Sequence, residues 1–153
     1  MDLRTKLANL GLELPDAPAP VAAYVPAVRT GRLIIVSGQL PLKQGSLLFK
    51  GPVPSAVTLD QAQQAARQCV LNALAMVDQQ VQGDWTRFVR VVRVGVFVAC
   101  DDSFTDQSLV ANGASELLVD LFGEAGRHAR AAVGVNALPL GAPLEVEMTV
   151  EIA

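Results

Sequence analysis

Apolar and polar residues alternate most clearly in the last ten residues of the chain. From Leu144 to Ile152, one parity is apolar and the other is glutamate or threonine, a pattern typical of a strand with one face in the core. The preceding apolar run, Ala129–Val135, contains one charged residue, Arg130. Because residues 137–143 are rich in proline and glycine, we predict that the two strands form an antiparallel hairpin centred near Leu140.

The rest of the chain contains helical and strand patterns in alternation. They predict a short helix over Leu3–Leu10, a hairpin of Tyr24–Val28 and Leu33–Ser37, a third short strand at Leu47–Phe49, a helix over Leu59–Val81, a strand over Phe88–Val98 and a helix over Asp106–Phe122. This order predicts an α+β fold, a mixed β-sheet with two helices packed on one face. The other face then needs a cover, which self-association would supply.

The chain divides into an arm and one domain. We expect residues 1–20 to be an N-terminal helix with a proline-rich arm and residues 21–153 to be a single domain. At 153 residues, of which 51% are hydrophobic, the chain is long enough for one substantial core.

Arg130 is the most informative candidate functional residue. A guanidinium in a strand of small and β-branched residues needs an anion to offset its desolvation, and its planar donors suit a carboxylate. The anion could be a ligand or one of the glutamates at 145, 147 and 151. In the predicted hairpin, Arg130 lies roughly 17–20 Å from Glu145. If both residues bind one small ligand, a second copy of the chain must supply one of them.

Composition argues against several partners. The formal net charge is −3, and the 12 lysines and arginines are not interleaved with aromatics, so we do not expect nucleic acid binding. There is no signal-peptide pattern and no run of about 18 apolar residues, so we expect a cytoplasmic protein that does not bind membranes. The two cysteines should be free thiols. His128 is the only histidine, so we expect no metal site.

Several motifs together resemble one known family. They are Tyr24–Val25 ahead of Ile34–Pro41, Asn112, Arg130–Val133, and Glu145–Glu147 fifteen residues after the arginine. From Val21 to the C-terminus, the chain is similar to the reactive-intermediate deaminases (Rid or YjgF), in particular to a longer-chain bacterial subgroup.

The resemblance implies a fold and an activity. The fold would be chorismate-mutase-like, assembled as a homotrimer with a central barrel of sheets, outer helices and clefts between subunits. The activity would be hydrolysis of enamine and imine intermediates, such as 2-aminoacrylate, to a 2-keto acid and ammonia. No metal or organic cofactor is implied.

The resemblance also assigns roles to individual residues. Arg130 would bind the substrate carboxylate and Glu145 would position water. Tyr24 would line the cleft, Ser37 would lie near the reacting end, and Asn112 would match a helical asparagine with a one-residue length difference. A cysteine common in the family is Ala132 here, so a thiol-assisted step is not expected.

Simpler interpretations of these residues remain open. Glu147 could be the working carboxylate instead of Glu145, Tyr24 and Ser37 could be ordinary packed residues, and Asn112 could be a surface or capping amide. The alternative functions are a non-catalytic protein that binds small 2-keto or amino acids, an endoribonuclease, and, by analogy of fold alone, a chorismate mutase. The acidic charge balance and the lone histidine disfavour RNA cleavage.

Overall fold

The computed structural model describes residues 2–17 and 23–153. The end of the predicted proline-rich arm, residues 18–20, lies outside the described residues. The described part contains these helices and strands: α1 Leu3–Asn9, β1 Ala27–Thr30, β2 Leu33–Gln39, β3 Leu42–Lys43, β4 Ser46–Leu47, α2 Leu59–Val81, β5 Phe88–Ala99, α3 Gln107–Phe122, β6 Ala129–Val135 and β7 Leu144–Ile152.

Five of the strands form one mixed sheet in the order β1-β2-β7-β5-β6. β5 pairs with β6 in parallel, and the other neighbouring strands are antiparallel. The mixed α+β arrangement expected from the pattern is therefore confirmed. The arginine-bearing strand, β6, lies at one edge of the sheet.

The predicted hairpin of Ala129–Val135 and Leu144–Ile152 is wrong. β6 and β7 lie on opposite sides of β5, and the connecting segment crosses the end of β5. The reason is that β5 is apolar on both parities, so it takes the interior position with a neighbour on each side. The alternation in β7 specifies which face is buried but not which strand is its neighbour.

The predicted third strand also differs from the structure. β3 and β4 form a separate two-stranded ribbon instead of joining the main sheet. Gln44 and Gly45 connect them with positive φ values of 52° and 82°, the backbone signs of a two-residue type I′ turn.

The long helices α2 and α3 cover one face of the sheet. α2 begins with a capping box, in which the Thr58 side chain and the Gln61 side chain each bond the other residue's backbone N–H. The apolar parity of β7 is buried beneath these helices, and Leu3 and Leu7 of α1 belong to the same core. No helix in the described ranges combines the length and apolar character needed to span a bilayer.

Candidate functional site

Arg130 lies under α3, at the edge of the sheet. It pairs with Val94 of β5, whose side chain is buried on the helix-covered face, and directly opposed strand residues point to the same face. Its Nη1 donates to Asn112 Oδ1 at 2.9 Å and to Ser115 Oγ at 3.1 Å, and its Nη2 donates to the Ser108 carbonyl at 3.4 Å. The guanidinium is therefore held by three residues of one helix.

These three contacts leave part of the guanidinium available. Arginine has five N–H donors, and three of them are used by α3. Among the described residues, Nε makes no hydrogen bond, and one Nη2 hydrogen is also free. Nε–H together with an Nη2–H can bind both oxygens of a carboxylate.

All three acceptors that hold Arg130 are neutral. Within residues 2–17 and 23–153, Arg130 takes part in no ion pair. The glutamates of β7 cannot reach it because they lie on the other face of the sheet. Along β7, these half-buried glutamates alternate with buried apolar residues, whose side chains point to the helix-covered face. An internal salt bridge, the simpler interpretation of this arginine, is therefore not what the structure shows.

A chain of hydrogen bonds runs from Arg130 through Ser115 to His128. The Ser115 hydroxyl lies 3.0 Å from His128 Nε2, and His128 Nδ1 lies 2.6 Å from the Gly126 carbonyl. Because a carbonyl only accepts, Nδ1 carries the proton, and in the neutral ring Nε2 accepts from Ser115. Burial lowers the pKa of His128, and the charge of Arg130 lowers it further, whereas the bond to Gly126 opposes both effects.

Glu145 and Glu147 lie on the opposite, helix-free face. The Glu145 carboxylate packs directly on the backbone of Gly38, where an added Cβ would collide with Oε1. Glu147 packs in the same way on Gly95, where a Cβ would come within 2.7 Å of its Oε1. Partial burial raises the pKa of Glu145, and repulsion from Glu147 raises it further.

Ser37 precedes Gly38, the residue on which Glu145 packs. Tyr24 and Gly38 border a cavity of about 900 Å³ between the N-terminal arm, the end of β2 and α2. Tyr24 is 61% exposed. The Ser37 hydroxyl donates to the Val25 carbonyl at 2.8 Å, so it can offer a ligand only its acceptor lone pairs.

Four of the five candidate residues form two groups on opposite faces of one sheet. Arg130 and Asn112 form one group, and Ser37 and Glu145 form the other. Tyr24 borders the cavity at the end of β2. Along β5, Arg130 is level with Val94 and Glu145 with Phe97. Three positions along the strand and two strand spacings put their Cα atoms about 14 Å apart. Since their side chains also diverge, one chain cannot bring both to a small ligand.

Sequence reasoning named Asn112 but missed Ser108 and Ser115, the other two residues that hold Arg130. Ser108, Asn112 and Ser115 are spaced four and three residues apart, so they share one face of α3. That spacing could have identified Ser108 and Ser115. The described residues contain no cluster of three or more His, Cys, Asp and Glu side chains suited to a metal ion.

Comparison with known proteins supports this fold. Residues 4–152 match the family model described as "YjgF/chorismate_mutase-like, putative endoribonuclease". The chain is 46% identical over 147 residues to Protein TCP17 of Trypanosoma cruzi, which covers 95% of this chain and 91% of the relative. It is 29% identical over 142 residues to a 2-iminobutanoate/2-iminopropanoate deaminase of Dermatophagoides farinae, covering 92% and 94% of the two chains.

A solved structure extends the similarity to nearly the whole fold. Agrobacterium tumefaciens protein Atu1372 superposes with a TM-score of 0.92 at 42% identity, over 99% of this chain and 94% of the other. Fold, motifs and family match agree, and we conclude that this chain is a member of the YjgF/chorismate-mutase-like (Rid) family.

Proposed function

We propose that this protein hydrolyses enamine and imine intermediates of amino acids to 2-keto acids and ammonia. The observation that carries the proposal is Arg130, a cation held in place by neutral partners, with two N–H donors that no described residue uses. A 2-imino acid carries the carboxylate that such a pair of donors binds best.

The reaction needs little beyond positioning. An enamine such as 2-aminoacrylate becomes the imine when its terminal carbon takes a proton and its nitrogen releases one. Water then adds to the C=N carbon, with one of its protons going to the nitrogen. The tetrahedral carbon expels ammonia as the hydroxyl proton passes to the nitrogen, which leaves a C=O group. In the proposal, Arg130 binds the carboxylate, and Glu145 orients the attacking water. Tyr24 and Ser37 line the same cleft.

Two copies of the chain form each site in this proposal. Arg130 and Asn112 of one subunit face Tyr24, Ser37 and Glu145 of its neighbour, in the homotrimer that the family resemblance implies. The helix-free face supports an assembly because it exposes apolar side chains: Val28, Ile35 and Val133 are 49%, 46% and 46% exposed. A second copy of the chain would cover them.

The matched deaminase relative supports the reaction class, and the family description also names an endoribonuclease. Among the described residues, both ring nitrogens of His128 are engaged by protein groups. The lone histidine is therefore not free to act as a general base on RNA.

Release of the 2-keto acid from enzymatically generated 2-aminoacrylate tests the proposal. Wild-type protein should accelerate the release, and Arg130→Ala should lower kcat/KM by about 10- to 100-fold, the expected value of a charge-assisted bidentate contact. Arg127→Ala is the matched control, because Arg127 lies three residues away in an exposed pair with Glu124, and such pairs contribute little. Saturable binding of 2-keto acids without turnover would instead favour the non-catalytic binding protein.

A further inference from the structure

The Arg130 guanidinium depends on a hydroxyl whose own orientation must be fixed. Ser115 Oγ accepts from Arg130 Nη1 at 3.1 Å. A serine hydroxyl rotates freely about its C–O bond, and its single hydrogen can point in several directions. It presents a lone pair to Arg130 only when that hydrogen points elsewhere.

His128 supplies the acceptor for that hydrogen. Its Nε2 lies 3.0 Å from Ser115 Oγ, while its Nδ1 proton is committed to the Gly126 carbonyl at 2.6 Å. The backbone carbonyl therefore selects the ring tautomer, the ring directs the hydroxyl, and the hydroxyl directs its lone pair at the arginine. The two ends of the chain have fixed roles, because a carbonyl only accepts and a guanidinium only donates, and they set the roles of the ring and the hydroxyl between them.

The chain of bonds joins three separate elements. Gly126 and His128 lie between α3 and β6, Ser115 lies on α3, and Arg130 lies on β6. This chain of hydrogen bonds, from Gly126 through His128 and Ser115 to Arg130, forms a relay. The relay fixes the guanidinium relative to the helix as well as the strand. Without Ser115, the guanidinium would keep only the Nη1 bond to Asn112 and the longer 3.4 Å Nη2 bond to the Ser108 carbonyl, so it would be held less firmly.

We propose that Ser115 and His128 are positioning residues for substrate binding, which hold the Arg130 guanidinium with its free edge towards the substrate carboxylate. This inference rests on the proposed function. Neither residue needs to touch the substrate. The carboxylate is bound equally in the ground state and the transition state, so loss of the relay should appear in KM and not in kcat.

Four variants and one control separate this role from general structural support. Ser115→Ala removes the hydroxyl, and His128→Leu removes the acceptor. His128→Gln restores an acceptor oxygen near the position of Nε2. The double variant Ser115→Ala/His128→Leu tests whether the two act as one unit. Glu116→Gln changes the exposed neighbour of Ser115 on α3 and is the control.

Steady-state kinetics with 2-aminoacrylate should show a consistent pattern. Ser115→Ala and His128→Leu should each raise KM about threefold to tenfold, the range for losing one neutral hydrogen bond, with kcat within about twofold. His128→Gln should match wild type, and the double variant should be no worse than Ser115→Ala. A KM unchanged in Ser115→Ala and His128→Leu would overturn the inference, as would a His128→Gln variant as impaired as His128→Leu.

Crystal structures of the same variants provide a readout that needs no substrate. The guanidinium should shift or lose order in Ser115→Ala and His128→Leu and keep its place in His128→Gln and Glu116→Gln. If the variants show this pattern of guanidinium positions but the wild-type protein does not turn over imines, the proposed function is contradicted and the relay is upheld. Normal turnover with an unmoved guanidinium in every variant would contradict the relay alone.

Discussion

A single residue, Arg130, combines partial burial, a positive charge and N–H donors that no described residue uses. Its acceptors on α3 satisfy three N–H groups without cancelling the positive charge. A partly desolvated cation attracts an anion more strongly than one in bulk water, because the surrounding dielectric is lower. Neutral acceptors therefore leave the positive charge of Arg130 available for a ligand, whereas an acidic acceptor would neutralise it.

Replacing one anchor by its acidic isostere tests that distinction. Asn112→Asp keeps the shape of the side chain and puts a carboxylate oxygen where Asn112 Oδ1 lies 2.9 Å from Arg130 Nη1. The internal ion pair should raise KM for 2-aminoacrylate about tenfold, because it competes with the substrate for the guanidinium. Thermal unfolding should show equal or greater stability than wild type.

Asn112→Ala provides the matched comparison, because it removes the hydrogen bond without adding charge. It should raise KM less than Asn112→Asp does, and it should lower the melting temperature. An Asn112→Asp variant that binds substrate as well as wild type would show that the charge of Arg130 is not used for the carboxylate.

The sequence identified Arg130 and Asn112 but not Ser108, Ser115 and His128 as supporting residues. An arginine in a strand of small apolar residues is conspicuous by composition alone. Ser115 and His128 acquire meaning only once β6 is placed at the sheet edge beneath α3, and the predicted hairpin put β6 beside the wrong strand. A wrong neighbour for one strand therefore hid the relay.

At the scale of elements, two glycines determine how the acidic face is arranged. Gly38 on β2 and Gly95 on β5 leave room for the side chains of Glu145 and Glu147 to lie flat across the sheet. Glycine in a strand often marks such a close approach. Each glutamate packs on one glycine in the same way, so a matched substitution at each glycine can show which carboxylate acts in catalysis.

Adding one methyl group at each glycine separates the two glutamates. Gly38→Ala should displace the Glu145 carboxylate and lower kcat by about 10- to 100-fold, since it misplaces the group that orients water. Gly95→Ala displaces Glu147 instead and should leave kcat within about threefold of wild type, because only remote geometry changes. Circular dichroism should confirm that both variants fold. The reverse order of effects would assign the catalytic role to Glu147.

Helices were easier to predict than strand neighbours. The bounds of α2 match the predicted Leu59–Val81 because the apolar period and the Thr58 cap are local signals. The alternation in β7 correctly predicted its buried face. Strand order depends on contacts between distant parts of the chain, and local patterns do not specify those contacts.

At the scale of the whole molecule, the sheet separates the two groups of candidate residues. Helices α2 and α3 cover one face, where Arg130 lies, while the other carries Glu145 and exposed apolar side chains. The sequence predicted that a second copy must complete the site, although the hairpin behind that prediction is wrong. The observed register supports the same proposal for a different reason: Arg130 and Glu145 lie on opposite faces of the sheet, whereas the predicted hairpin separated them along its length.

Mixed trimers of two impaired variants test this account most directly. Arg130→Ala and Glu145→Gln chains, carrying different affinity tags, are co-expressed, and trimers that retain both tags are isolated. At 2-aminoacrylate concentrations well below KM, where loss of Arg130 lowers the rate, each variant alone should keep no more than about a tenth of the wild-type turnover. The mixed trimers should recover about a third of wild-type turnover, because one interface in each mixed ring of three pairs the two unmutated residues. Mixed trimers no more active than either variant alone would contradict a site shared between subunits.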